Sequence, residues 1–299
     1  MKALIIDEVY EGISRELGKY MTVDTKMLPT QEELANLIGE YDVLIMRVDP
    51  AINKEILDAA KNLKVIGVCS VGLNHIDLDA AKAKGIQVFN APGMNGNAVA
   101  ELTLAKMLEL SRHTIPADYD VTTNKHWDKY RFVGRELRGK TLGILGFGRI
   151  GQRVGELGRA FLMNVVAYDP FLPAHVFEEQ HAQSMSIAEV LRVADYVTIH
   201  MPLTDETRHM FNAESLASMK PDAVVLNMAR GGIVDEKAMY EALKAGKIGG
   251  YATDVMEDEL AEGGLTEDAS MDSPLFECDN FIVTPHLGAQ TVDASRDVG

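Results

Sequence analysis

The sequence has very few cysteines and no long apolar run. Its 299 residues contain only Cys69 and Cys278, too few for the disulfide framework typical of small secreted domains. It shows no apolar leader and no stretch of about 20 apolar residues, the length that crosses a bilayer. We therefore expect a cytoplasmic protein with no membrane partner, in which Cys69 is a buried strand thiol rather than a reactive one.

Basic residues are also scarce. The chain has 29 lysines and arginines against 45 acidic residues, which gives a formal net charge of −16. Such a chain is repelled by nucleic acid and by anionic membrane surfaces, so neither is an expected partner. An anionic ligand would need basic residues gathered locally.

Short apolar runs alternate with amphipathic segments along the chain. A chain of this length suits two domains, and the alternation predicts an α/β fold in which parallel sheets carry helices on both faces. A cluster of turn-forming residues at 90–97 marks the first boundary. We predict one domain from residues 1–93 plus 286–299 and a second from residues 94–285.

A glycine motif lies near the middle of the chain. A strand pattern at residues 141–145 runs into Gly146-x-Gly148-x-x-Gly151, and a helical pattern follows. Gly146 permits the turn, Gly148 lets backbone approach a pyrophosphate, and Gly151 lets the helix pack closely on the strand. The N-terminus of that helix offers N–H groups to the phosphates.

Asp169 ends the next apolar strand, about 20 residues after the glycines. A carboxylate there would accept hydrogen bonds from ribose hydroxyls and repel the 2′-phosphate of NADP, so NAD is favoured. The glycines alone also fit a structural turn that binds nothing. The strand, the helix and the acid together favour a dinucleotide site.

Two loops after strands of the first domain carry further candidates. Arg47 follows one strand, and Ser70, Val71 and Gly72 follow another. Arg47 supplies a positive charge, and Gly72 would let backbone N–H groups form an anion-binding nest. Spacing alone fits a surface arginine and an ordinary turn equally well.

Arg230, Glu259 and His286 follow strands of the second domain. Ligands of doubly wound sheets bind at the carboxyl ends of the strands. Taken singly, each residue also has an ordinary explanation: a loop arginine, a glutamate in an acidic run, and a histidine after a proline.

Other segments are less informative. Residues 99–110 predict a long, mostly buried helix, and the polar and aromatic segment that ends at residue 138 has no clear periodicity. Residues 185–193 predict a helix, and the acidic residues 260–279 predict a surface loop. From residue 290 we expect a helix that returns to the first domain.

Five blocks, in order, resemble the D-isomer-specific 2-hydroxyacid dehydrogenase family along nearly the whole chain. They are Gly146-Phe-Gly-Arg-Ile-Gly151 with Tyr168-Asp-Pro170, His200-Met-Pro-Leu-Thr204, Asn227-Met-Ala-Arg-Gly-Gly-Ile-Val-Asp235, Asp254-Val-Met-Glu-Asp-Glu259 and Thr284-Pro-His-Leu-Gly288. The resemblance implies two doubly wound parallel-sheet domains, a flavodoxin-like substrate domain and a Rossmann domain that binds NAD.

The resemblance also implies roles for the residues at matching positions. The Arg-Glu-His triad of the family would be Arg230, Glu259 and His286. Cofactor contacts would come from Gly146, Gly148, Arg149, Ile150, Gly151, Asp169, Pro202, Thr207, Met228, Ala229, Arg230, Asp254, His286 and Gly288, with Asp254 on the nicotinamide carboxamide. Substrate contacts would come from Arg47, Ser70, Val71, Gly72, Asn95 and Arg230. No metal is implied.

The chemistry agrees with the triad. Reduction of a 2-keto acid needs a hydride at the carbonyl carbon and a proton on the developing alkoxide, which His286 would give. Glu259 would favour the charged imidazole and fix its tautomer. Arg230 would bind the carboxylate and polarise the keto oxygen. Leu260 stands where relatives usually carry proline after the glutamate, so Glu257 is the alternative residue for this role. Formate dehydrogenases of the same superfamily would carry glutamine there, so an acid counts against formate oxidation.

The substrate stays open at this stage. Arg47 is similar in position to an arginine that phosphoglycerate dehydrogenases use on the far end of the substrate, whereas Val68 occupies a place where some of them have a second arginine. D-3-phosphoglycerate, hydroxypyruvate, glyoxylate and other small 2-keto acids all fit. An NADH-sensing, corepressor-like scaffold is the alternative of a different class, and the compact chain favours the enzyme. The family usually pairs through the nucleotide domain, so we expect a homodimer that uses residues 99–138.

Overall fold

The computed structural model describes residues 1–73, 75–257 and 271–299. The chain forms two compact units, one from residues 1–95 and 289–299 and the other from residues 96–288. Each unit has its own parallel sheet. Within the described residues, no helix combines the length and the apolar character needed to cross a membrane.

The first unit is built on a five-stranded parallel sheet. Its strands are β1 (Lys2–Ile5), β2 (Thr22–Thr25), β3 (Val43–Met46), β4 (Val65–Val68) and β5 (Gln87–Asn90), in the order β2-β1-β3-β4-β5. This is the flavodoxin-like order. Four helices alternate with the strands: α1 (Gly12–Leu17), α2 (Gln31–Leu37), α3 (Lys54–Ala59) and α4 (Leu78–Ala83).

Local sequence explains where these short helices begin. The Thr30 side chain accepts from the Glu33 amide while Glu33 accepts from the Thr30 amide, a capping box that starts α2. Asn53 caps α3 and Asp77 caps α4. In each case a side-chain oxygen accepts a hydrogen bond from the amide of the third helical residue. Apolar residues of strands and helices, such as Leu34 and Leu44, form one buried cluster.

The second unit is built on a seven-stranded parallel sheet. Its strands are β6 (Thr141–Leu145), β7 (Asn164–Tyr168), β8 (Gln183–Ser184), β9 (Tyr196–Ile199), β10 (Val224–Asn227), β11 (Gly250–Thr253) and β12 (Phe281–Val283). The order is β12-β11-β10-β9-β6-β7-β8, which is the Rossmann order with one more strand at an edge. The strand order reverses between β6 and β9, so their carboxyl ends open into the crevice where ligands of such sheets bind.

Helices cover both faces of this second sheet. They are α5 (Gly96–Arg112), α6 (Thr114–Thr122), α7 (Arg149–Ala160), α8 (Ala174–Glu179), α9 (Ile187–Val193), α10 (Ala213–Ala217) and α11 (Glu236–Lys244). Two buried apolar clusters result, one on each side of the sheet. The long α5 packs on α7 and on β10, β11 and β12. After β12 the chain returns to the first unit in α12 (Val292–Val298), which Thr291 caps.

Two sequence predictions about local structure need correction. The surface loop predicted for residues 260–279 is wrong for its described part, because Ser273 caps a 3₁₀ helix over Pro274–Glu277 and Leu275 is fully buried in the core; residues 260–270 lie outside the described residues. The helix predicted from residue 185 begins two residues later, because Ser186 and Glu189 form a capping box.

Cys69 immediately follows β4 and is half-buried. Burial raises the pKa of its thiol to about 11, and the nearby Asp7 carboxylate adds to the shift. The thiol is therefore protonated at neutral pH, which agrees with the prediction of an unreactive cysteine.

Candidate active site

The glycine motif forms a tight turn between β6 and α7. Gly146 has φ of 90°, and a Cβ built on it would lie 2.7 Å from the carbonyl carbon of His200. A Cβ on Gly151 would lie 2.2 Å from the Gly146 oxygen. Gly148 precedes α7, has no side-chain cap, and faces open space, since a Cβ there would meet no atom within 4 Å. This space at a helix N-terminus fits a pyrophosphate.

Asp169 follows β7 and is tied to the glycine turn. One carboxylate oxygen accepts from the Phe147 amide at 2.9 Å and the other accepts from the Phe171 amide at 3.0 Å. These bonds leave acceptor positions on both oxygens. The acid predicted for ribose binding thus lies beside the turn predicted for pyrophosphate, as a dinucleotide requires.

The loop after β9 borders the same turn. The His200 amide donates to the Leu145 oxygen at 2.7 Å, and the hydroxyl of Thr207 donates to the Pro202 oxygen at 2.8 Å. The His200 ring bonds Thr198 through Nε2, at 2.9 Å, and burial lowers its pKa to about 3. The ring is therefore neutral. Sequence reasoning noted this histidine only as part of a motif.

Met228, Ala229 and Arg230 follow β10 in a loop that Asn227 organises. The buried Asn227 side chain accepts from the Ala229 amide at 3.1 Å and donates to the Arg230 oxygen at 2.9 Å. Next to them, a Cβ on Gly231 would lie 2.1 Å from the Met256 oxygen, so only glycine fits. The half-buried Arg230 donates from Nη1 to the Ala229 oxygen at 2.6 Å. Sequence reasoning missed the role of Asn227.

His286 is carried by a loop that Asp254 holds on several sides. Asp254 follows β11, is buried, and its carboxylate accepts from the Thr284 hydroxyl at 2.6 Å, the Leu287 amide at 2.8 Å and the Gly288 amide at 2.7 Å. Its main-chain oxygen accepts from the His286 amide at 3.0 Å. His286 is exposed and has a left-handed backbone, with φ of 51°. The loop geometry is therefore fixed mainly by one buried carboxylate.

Of the two candidate glutamates, only Glu257 lies within the described residues. Glu259 lies outside the described residues. Glu257 is described, and its Oε1 lies 2.7 Å from Nε2 of His209. Its amide donates to Glu236 at 2.8 Å. Glu257 is thus engaged by a different histidine, which sequence reasoning did not single out.

The predicted substrate residues Arg47, Ser70, Val71, Gly72 and Asn95 all lie in the first unit. Ser70 donates its hydroxyl to the Gly72 oxygen at 3.0 Å, and Asn90 donates to the Val71 oxygen at 2.7 Å. The Asn95 Oδ1 is buried without a hydrogen-bond partner among the described residues. A ligand that donates a hydrogen bond would satisfy it.

Arg47 owes its position to Asp7. One Asp7 oxygen accepts from the amides of Arg47, Val48 and Asp49, at 3.0, 2.6 and 2.9 Å. Arg47 also lines a cavity of about 630 Å³ at the carboxyl ends of β1, β2 and β3. The backbone amides of this turn are therefore occupied by Asp7. The guanidinium of Arg47 remains as the cationic group of the turn.

The residues predicted to bind the cofactor lie in the second unit, and the structure gathers their loops at the carboxyl edge of one sheet. The glycine turn follows β6, Asp169 follows β7, the Arg230 loop follows β10, Asp254 follows β11 and the His286 loop follows β12. This edge is where doubly wound sheets bind dinucleotides.

Comparison with known proteins agrees with this architecture. Residues 104–288 match the family model described as D-isomer specific 2-hydroxyacid dehydrogenase, NAD binding domain. The chain is 42% identical to the D-3-phosphoglycerate dehydrogenase of Methanocaldococcus jannaschii over its full length, and it spans 55% of that protein. It is 39% identical to the hydroxypyruvate reductase of Thermotoga maritima, with 90% of the chain and 85% of that protein covered.

A solved structure extends the comparison to the fold. The structure of D-lactate dehydrogenase from Aquifex aeolicus, complexed with NAD and lactic acid, superposes with a TM-score of 0.81 at 31% identity and covers 99% of the chain and 91% of that protein. The fold class, the family and the NAD cofactor predicted from sequence are confirmed. The chain belongs to the D-isomer-specific 2-hydroxyacid dehydrogenase family, and residues 104–288 match its NAD-binding domain.

Proposed function

We propose that this chain is an NAD-dependent oxidoreductase that transfers a hydride between nicotinamide and a small D-2-hydroxy acid or its 2-keto acid. The observation that carries this proposal is the placement of the His286 loop, which Asp254 fixes at the same sheet edge as the glycine turn. The relatives named above carry dehydrogenase or reductase names.

In the direction of reduction, bound NADH supplies the hydride to the carbonyl carbon. His286 gives a proton to the oxygen on which negative charge develops, and Glu259 keeps the imidazole charged and oriented. Arg230 pairs with the substrate carboxylate and polarises the keto oxygen. The oxidation direction uses the same groups in reverse, with His286 accepting the proton.

For the substrate, we propose a small 2-keto acid, or the matching D-2-hydroxy acid, whose tail is polar or anionic. D-3-phosphoglycerate, a hydroxy acid, and hydroxypyruvate, a keto acid, both have such a tail. Arg47 supports this choice, because Asp7 fixes the turn that carries it and leaves its guanidinium as the cationic group of that turn. Val68 is buried in the core of that unit and adds no second cation. Ser70, Val71, Gly72 and Asn95 would complete the contacts to the substrate.

We further propose that the protein acts in the cytoplasm as a homodimer. Large aromatic side chains are exposed along the segment between α6 and β6: Trp127 is 87% exposed and Tyr130 is 77% exposed. A second copy of the chain would cover this apolar surface. Light scattering should report a dimer, and the double variant Trp127→Ser, Tyr130→Ser should be monomeric; a monomeric wild type would contradict this arrangement.

The test of the activity is the loss of NADH absorbance with a panel of 2-keto acids that share the 2-keto carboxylate and differ in their tails. We expect turnover with at least one acid, and His286→Ala should abolish turnover while NADH still binds. Binding of NADH without turnover of any acid would contradict the proposal and favour a dinucleotide-sensing scaffold. An active His286→Ala variant would remove His286 as the proton donor.

A further inference from the structure

His209 joins three loops at the carboxyl edge of the second sheet. It lies in the loop after β9, and its amide donates to the Gly232 oxygen, in the loop after β10, at 2.8 Å. Its ring Nε2 lies 2.7 Å from Oε1 of Glu257, in the loop after β11. An ionised carboxylate only accepts, so the ring donates in this pair. One residue therefore sets the spacing of three successive loops.

The backbone of His209 has an uncommon conformation. Its φ is 50°, in the left-handed region that residues other than glycine seldom adopt. Neighbouring groups hold it there, because the Asn212 side chain donates to the His209 oxygen at 3.2 Å while the His209 amide is bound to Gly232. The amide, the oxygen and the ring of this residue are thus all engaged, each by a different group.

The loop after β10 also runs alongside the loop after β9. The Phe211 amide donates to the Ile233 oxygen at 3.2 Å, and the Phe211 oxygen accepts from the Asp235 amide at 2.9 Å. Phe211 and Val234 form a parallel bridge as a result. This bridge holds the end of the loop that leads into α11.

The loop after β11 packs on the other side of the loop after β10. A Cβ on Gly231 would overlap the Met256 oxygen, so the two backbones are in close contact. The Glu257 amide, next along the chain, donates to Oε1 of Glu236 at 2.8 Å, at the start of α11. Glu257 is therefore held through its amide by one group and through its carboxylate by His209.

The pair matters for geometry more than for stability. His209 keeps 45% of its side chain in solvent and Glu257 keeps 35%, and ion pairs this exposed stabilise a fold only slightly. However, the Gly232 oxygen bound by the His209 amide is only two residues from Arg230. A displacement of about 1 Å in a group that orients a substrate can lower a rate substantially.

We propose that His209 is a positioning residue, whose amide and ring together hold the loop after β10 where Arg230 can bind the carboxylate of the substrate. The consequence for catalysis rests on the function proposed above. The consequence for the loops does not, and the two are measured separately.

Amide hydrogen exchange tests the loops. His209→Leu removes the hydrogen bond of the ring, whereas His209→Gln keeps a donor. In His209→Leu the amides of residues 209 and 257 should exchange about threefold to tenfold faster, the effect of losing one hydrogen bond. In His209→Gln they should stay within about twofold of wild type, and the amides of β6 serve as the reference. Equal rates in all three proteins, or equal acceleration throughout the domain, would overturn the inference.

His181→Leu is the matched control for the backbone. His181 is also an exposed histidine with a left-handed backbone, at φ of 48°, and it follows α8 in a connection that carries no predicted site residue. Both leucine variants place a branched side chain on such a backbone and carry the same strain. Only His209→Leu should change the exchange of the loops and the kinetics. Equal effects of the two variants would assign the result to backbone strain and overturn the role of the ring.

Kinetics test the catalytic consequence. In His209→Leu, kcat/KM should fall about tenfold, because Arg230 is displaced from the substrate. The factor should be the same for pyruvate and for a keto acid with an anionic tail, since Arg230 acts on the carboxylate that both share. His209→Gln should recover most of the loss. A loss confined to tailed acids, or an equal loss in His209→Gln, would overturn the proposal.

The pair can also be broken from its other side. Glu257→Leu should lower kcat/KM about as much as His209→Leu, and the double variant should lose no more than either one. Additive losses would show that the two residues act separately and would overturn the pairing. Failure of both leucine variants to fold would make the pair a requirement of the whole domain and also overturn it. Wild type without turnover would refute the proposed function, and the exchange rates would still decide this inference.

Discussion

Nε2 of His209 lies 2.7 Å from Oε1 of Glu257, and this pair joins two loops at the carboxyl edge of the second sheet. The His209 amide also donates to the Gly232 oxygen at 2.8 Å, so the loop after β10 is held in the same assembly. The amide of Glu257 adds a bond to Glu236 at the start of α11. The pair therefore supports the backbone on which Arg230 is carried.

This pairing separates the two glutamates that sequence left open. Since Glu257 is already bonded to His209, Glu257→Gln should keep kcat/KM within about fivefold of wild type. Glu259→Gln should lower kcat/KM by about a hundredfold, the lower end of what general acid–base catalysis contributes, because the imidazole of His286 would lose the group that orients it. Steady-state kinetics with one keto acid suffice. The reverse ranking would make Glu257 the partner of His286.

The second prediction compares alanine substitutions at two glycines of the turn, Gly148 and Gly151, and each variant serves as the control for the other. Gly148→Ala should leave thermal stability nearly unchanged, because its Cβ meets open space, but it should weaken NADH binding about tenfold or more by intruding on the pyrophosphate. Gly151→Ala should destabilise the domain by about 2 kcal/mol or more, because its Cβ overlaps the Gly146 oxygen.

Calorimetry and NADH titration of both variants provide the measurements for the glycine turn. Normal NADH affinity in Gly148→Ala would place the pyrophosphate elsewhere. Equal losses of thermal stability in the two variants would contradict the difference in space around them.

His200, a half-buried residue whose ring Nδ1 is enclosed, should make the protein less stable in mild acid. Its pKa of about 3 in the folded state lies below the ordinary value of 6.5, so the unfolded state binds more protons between these limits. This contribution is fully present above pH 6.5 and is lost as the pH falls toward 3. Between pH 7 and pH 5, the loss from this one ring is about 2 kcal/mol.

His200→Gln tests this effect, since glutamine keeps a polar group for Thr198 and does not titrate. The free energy of unfolding, measured by urea denaturation at pH 7 and pH 5, should fall about 2 kcal/mol less in the variant than in wild type. All other titrating groups are common to both proteins and cancel in the difference. Equal pH dependence would show that His200 does not stay neutral when the protein is folded.

Features that depend on residues close together in sequence could be predicted, whereas those that depend on contacts between distant parts of the chain could not. The glycine turn and Asp169 were predictable because each depends on neighbours in one βαβ segment, and the α/β class was predictable because strand and helix periodicities alternate. The site assignments carried over from the family stay predictions. Leu275 was missed because a single buried leucine in an acidic segment produces no periodicity.

Contacts between distant parts of the chain were also beyond sequence reasoning. Asp7 reads as an ordinary acid after β1, yet its carboxylate organises the turn that carries Arg47. His209 and Glu257 stand 48 residues apart, and nothing near either residue in sequence shows that they are partners. Tertiary proximity, rather than local pattern, creates both relationships.

The tail of the substrate is the target of the last prediction. Arg47→Ala should raise KM about tenfold to a hundredfold for keto acids with an anionic tail, the loss of one charge-assisted hydrogen bond, and should leave pyruvate nearly unaffected. Arg47→Lys keeps the charge and should recover part of the affinity, although it loses the planar two-pronged contact. Initial rates with a phosphorylated keto acid and with pyruvate measure the difference. Equal losses for both substrates would mean that Arg47 acts on the common carboxylate or on the fold, because a contact to the tail alone cannot change the binding of an acid that has none.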